Sequence, residues 1–152
     1  MSALTNLAIC LLLGLATNTG AKSISPMQIA EANVYDVLRV ASKFRAGPVG
    51  YAGVISNEEG ALYRLLLSPG ATGELRRLAS EATPVGQLYA LWGLAVLRDE
   101  RFDELSAAHA SDNSNVDTQA GCLVHHETVA VIVERIRKGK YGKPRPDGAT
   151  AG

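Results

Sequence analysis

Thr83-Pro84-Val85-Gly86-Gln87-Leu88-Tyr89-Ala90-Leu91-Trp92-Gly93-Leu94-Ala95-Val96-Leu97 is the stretch on which the reading of this chain turns. Threonine followed by proline marks a helix start, with the hydroxyl as cap and the ring in the first turn. From Leu88 to Leu97 there is no charged residue. Leu88, Tyr89, Leu91, Trp92, Leu94, Val96 and Leu97 cover every side of such a helix, and a helix that is apolar all round must be enclosed by other elements. Trp92 is the only tryptophan. It reads as a core anchor, with Gly93 beside it permitting close helix contact.

Working outward, the same helical grammar recurs. Ser56-Asn57-Glu58-Glu59 has the spacing of a capping box, so the two glutamates are assigned to a helix N-terminus and not to paired catalytic acids. That helix runs through Leu62, Tyr63, Leu65, Leu66 and Leu67 and stops before Ser68-Pro69-Gly70. A third follows, with Leu75, Leu78 and Ala79 inward. Further upstream, Ser25-Pro26-Met27-Gln28 starts a first helix whose apolar stripe, from Ile29 to Phe44, ends before Gly47 and Pro48. Arg45 to Ile55 reads as the longest irregular loop of the front half. Beyond the central stretch, Arg98-Asp99-Glu100-Arg101 makes a polar corner, Phe102 and Leu105 anchor a short helix ending near Ala110, and Ser111 to Asn115 is a loop. Val116 to His126 reads as either an extended strand or an irregular link, with Gly121 against a helix there. Glu127 to Lys140 reads as a last helix on Val129, Ile132, Val133 and Ile136, with a strand over the β-branched run Val129–Val133 as the alternative.

The 152 residues, 47 % of them apolar, suit one domain with one core. Fifteen basic and fifteen acidic residues cancel, which argues against nucleic-acid binding by bulk positive charge. The distribution is uneven. Arg135, Arg137, Lys138, Lys140, Lys143 and Arg145 face only Asp147 at the C-terminal end. Residues 141–152 therefore read as a disordered basic tail capable of weak, salt-sensitive contact with anionic surfaces.

No charged side chain precedes Lys22, and Leu7 to Ala16 is a continuous apolar run. Its length fits the core of a signal peptide and falls short of a bilayer span. Thr19-Gly20-Ala21 offers a small-x-small cleavage pattern, so the expected division is a signal peptide over 1–21, a helical domain over 22–140 and the tail. The expected destination is secreted or periplasmic, with no stable membrane span once the signal is removed. Cys122 is then the sole remaining thiol, and packing, not an internal disulfide, must hold the domain together.

Two groups of residues carry the candidate chemistry. Cys122 with His125 and His126 has the residue types of a thiolate–imidazole nucleophile. With His109 or Asp112 the same residues have the donor types of a zinc site. The spacing lacks paired ligands at both ends of a loop, and Ala130 stands where a zinc-protease helix needs its second histidine. Cys122 is accordingly read as a packed apolar residue, with no metal and no cofactor. The second group is Gly47, Gly50 and Gly53 at intervals of three, with Tyr51 between them. It is a weak ligand-loop signal, because neither a preceding strand nor a phosphate-clamping lysine accompanies it.

From Ala61 to Ala108, the succession of helix, Ser68-Pro69-Gly70 corner, helix, Thr83-Pro84 corner, hydrophobic helix and Asp99 corner resembles HEAT-type helical repeats. The resemblance implies helical surfaces offered to other proteins and not catalysis. The combined expectation is an all-α fold, a small orthogonal bundle or HEAT-like array of about five to six helices, acting by contact with a protein partner. The alternative function is a small hydrolase or zinc-dependent enzyme built on Cys122 with His125 and His126.

Overall fold

The computed structural model describes residues 34–147. The proposed signal peptide, the start of the first helix and residues 148–152 lie outside them. The described chain is not all-α. A three-stranded mixed sheet packs under helices: β1 (Lys43–Val49), β2 (Asn115–Gly121) and β3 (Leu123–Thr128), in the order β1-β2-β3. The helices are α1 (residues 34–39), α2 (Asn57–Leu66), α3 (Ala71–Glu81), α4 (Pro84–Leu97), α5 (Phe102–Ala107) and α6 (Val129–Arg137). This overturns the bundle or HEAT-like array as the architecture.

The helical punctuation operates as the residues suggest. Ser56 Oγ accepts the Glu59 amide at the start of α2, and Thr83 Oγ1 accepts the Gly86 amide at the start of α4. Helix α4 is enclosed, with Leu88, Tyr89, Ala90, Leu91, Trp92 and Leu94 all buried. At Gly93 an added Cβ would press on the side chains of Leu75 and Leu62, so glycine there lets α2 and α3 close on α4. In α6, Val129, Ile132, Val133 and Ile136 are buried along one face, and helix wins over the strand alternative because this spacing serves a helical core stripe.

The corrections concern the sheet. The helix expected to reach Phe44 ends at residue 39, and the supposed loop from Arg45 begins as β1. Strand β1 runs parallel to β2, with Phe44 opposite Thr118 and Arg45 opposite Gln119, and the register shifts between Arg45 and Val49. Strands β2 and β3 form an antiparallel hairpin. The buried Tyr89 hydroxyl accepts the Arg45 amide at 2.7 Å and lies 3.0 Å from the Arg45 carbonyl, tying α4 to β1. Burial pushes its ionisation well above the ordinary tyrosine range.

Glu59 is the fully buried carboxylate of the core. It accepts the Gly47 amide at 2.6 Å and the Arg145 amide at 3.0 Å. Burial raises its carboxyl above the usual value, against the opposing pull of those two donors. Gly47, with φ of +89°, sits at an irregularity of β1 where its amide is bound by Glu59. Residues 141–147, read as the beginning of a tail, lie along the body as a strap. Trp92 Nε1 donates to the Gly142 carbonyl at 2.8 Å, Pro144 is buried, and Arg64 pairs with Asp147 at 2.6 Å. Tyr141 joins Phe44 and Trp92 in an aromatic cluster, 5.2 Å and 5.8 Å away between ring centroids.

Candidate functional site

The two candidate groups, about seventy residues apart in sequence, meet at one end of the sheet. Because β1 and β2 are parallel, the turn after β1 and the turn after β2 emerge together. The Gly50 amide donates to the Gly121 carbonyl at 2.8 Å and joins them. The first turn is closed by Val49 and Val54, which exchange backbone hydrogen bonds, and Gly50 and Gly53 sit at φ of +70° and +62°. Those left-handed positions are why glycines occupy them. Tyr51 stands at the crest, fully exposed.

The second turn is a two-residue hairpin connection, Gly121-Cys122, flanked by the opposed pair Ala120 and Leu123. Gly121 supplies the left-handed φ that such a turn requires. Cys122 is exposed, contrary to the expectation of a packed thiol, because a turn residue has no core behind it. Next to it Leu123 and Val124 remain 65 % and 47 % exposed. Together with Tyr51 they make the apolar end of the sheet. Among the described residues, no strand pairs with the outer edge of β3.

The histidines separate. Alternation along β3 sends adjacent side chains to opposite faces. His126 lies opposite Asp117, with Nδ1 2.8 Å from Oδ1, on the solvent face. His125 lies opposite Thr118 and lines a cleft of about 350 Å³ with Ala46, Glu127, Arg135 and Tyr141. There Arg135 grips Glu127 through both terminal nitrogens, at 2.8 Å and 2.6 Å, and Thr118 Oγ1 donates to the same carboxylate at 3.0 Å. The guanidinium holds the Glu127 carboxyl below its ordinary range, helped by Thr118. Glu127 and Tyr141 in turn raise the ionisation of Arg135.

His109 Nδ1 lies 3.9 Å from Asp112 Oδ2 beyond the end of α5, a contact of their own. Among the described residues, no group of three His, Cys, Asp or Glu side chains is placed to hold a metal ion. The same residues include no helix long and apolar enough to cross a membrane.

Nothing in the sequence marks Leu123, Val124 and Val54 as surface residues. Their apolar character suits a core, and only the turn geometry exposes them. The Glu127–Arg135 pair was hidden differently, since its members sit on a strand and a helix whose packing no local spacing displays. The chain matches no protein-family model, and no curated protein or solved structure matches it.

Proposed function

We propose that this protein is an exported binding module, secreted or periplasmic, that engages a protein partner at the Tyr51–Leu123 end of its sheet. The partner contributes an extended segment that lies along the outer edge of β3. Main-chain groups of that edge supply hydrogen bonds, and Leu123 and Val124, one on each face of the strand, with Tyr51 supply apolar contacts on either side of the added segment. The observation that carries this reading is the concentration of exposed Tyr51, Leu123 and Val124 beside an unpaired strand edge. Large side chains exposed together in a folded domain mark contact surfaces, whereas singly scattered ones do not. Export rests on the charge-free apolar segment before Lys22.

A hydrolase or zinc enzyme using Cys122 with His125 or His126 is the weaker reading, because strand alternation sends the two histidines to opposite faces of β3 and leaves at most one of them on the side of a given thiolate orientation. The test is site-specific photocrosslinking in the producing cell. A crosslinker in place of Leu123 or Tyr51 is expected to trap one partner of defined mass. One in place of Leu67, equally exposed at 69 % but at the far end of α2, is expected to trap none. Equal trapping from all three positions, or none from Leu123 and Tyr51, overturns the proposal.

A further inference from the structure

We propose that the groove where the C-terminal strap crosses the α4–α5 corner binds an anionic amphiphile, a carboxylate head on an alkyl body. This site is separate from the sheet end and stands independently of the binding role assigned there. The groove measures about 460 Å³, within the range of small-molecule sites. Its apolar lining comes from half-buried Val96, Phe102 and Tyr141. One wall is the strap itself, fixed by the bond from Trp92 Nε1 to the Gly142 carbonyl, so the concavity is built into the fold.

The rim selects the charge of the ligand. It carries Arg98, Arg137 and Lys143, with Asp99 and Asp103 as the acids. Asp99 is already neutralised, since Arg76 grips both its oxygens at 3.2 Å and 2.8 Å. Asp103 is largely exposed and lies 3.8 Å from Arg137. Among the described residues Arg98 and Lys143 make neither an ion pair nor a side-chain hydrogen bond. Two uncommitted cations above an apolar floor complement an anionic head on an apolar body.

Arg98 adds a second, independent sign. It caps α4 at φ of 53° and ψ of 45°, and among the described residues it is the only non-glycine with positive φ. Glycine suits that left-handed cap better than any other residue. Arginine there sets a guanidinium at the mouth of the groove at the expense of backbone comfort, as functional positions do.

The test is titration of the full chain with dodecanoate below its micelle concentration, followed by calorimetry and by the methyl resonances of Val96. Saturable binding that moves Val96 is expected. Arg98→Gly, which relieves the backbone and so preserves the fold, is expected to weaken binding about tenfold, the value of one charge-assisted contact. Dodecanol, which lacks the charge, is expected to bind about tenfold more weakly than dodecanoate for the same reason. No saturable binding, equal affinity for dodecanol, unchanged affinity in Arg98→Gly, or resonance changes confined to the sheet end would each overturn the assignment.

Discussion

Helix α4 and the first two residues of strand β3 both carry large apolar side chains, yet those of the helix are mostly sealed and those of the strand are bare. Nine residues of α4 are buried, including Trp92 at 2 % exposure, while the first four residues of β3 are all exposed. The difference lies in what surrounds them. Helix α4 is flanked by α2, α3, α5, α6 and β1, whereas among the described residues β3 pairs with a strand on one side only. The sealed core and the proposed recognition surface thus lie in different parts of the molecule, and a residue's hydrophobicity does not by itself say to which it belongs.

That division can be broken at three points of falling effect. Trp92→Ala removes the anchor of α4 together with its bond to the strap, and a loss of about 3–5 kcal/mol is expected in chemical denaturation. A loss below about 1 kcal/mol would show that α4 is not the keystone of the core. Glu127→Gln at the root of β3 is expected to cost about 1 kcal/mol at neutral pH, the scale of a partly exposed ion pair. Because Arg135 depresses the Glu127 carboxyl in the folded state, its contribution is present above the unfolded carboxylate range and is lost as pH falls through the folded value. The variant should therefore converge on the parent protein as pH falls below the ordinary carboxylate range, and a constant gap at every pH would contradict the pairing. Leu123→Asp, at the bare tip, is expected to shift stability by less than about 0.5 kcal/mol while abolishing crosslinking to the partner from Tyr51. A cooperative loss of fold in Leu123→Asp would make the tip part of the core and remove it as the proposed contact surface.

The helical core was legible because its signals are local. Ser56 with Glu59, Thr83 with Pro84, and the charge-free run around Trp92 each announce an element within a few residues. The sheet was not, because β1 reads Lys-Phe-Arg-Ala-Gly-Pro-Val, with glycine and proline where a strand is normally β-branched. Its pairing is supplied by β2, and Arg45 reaches Gln119 across 74 positions of sequence. No window of ten residues contains that information. The candidate site was legible in pieces. Tyr51 and Cys122 are each visible in the sequence, but only the parallel register brings their turns together, and nothing local to Gly47 shows that its amide is bound by the buried Glu59.

The parallel alignment of β1 with β2 also dictates an order of events in folding. A chain growing from its N-terminus presents β1 long before β2 exists, so the first strand must wait while α2 to α5 are made. Closing so long a loop is entropically slow compared with winding helices. The helical core should therefore gather first, and the sheet end, with both of its turns, should be the last region of the molecule to acquire its shape.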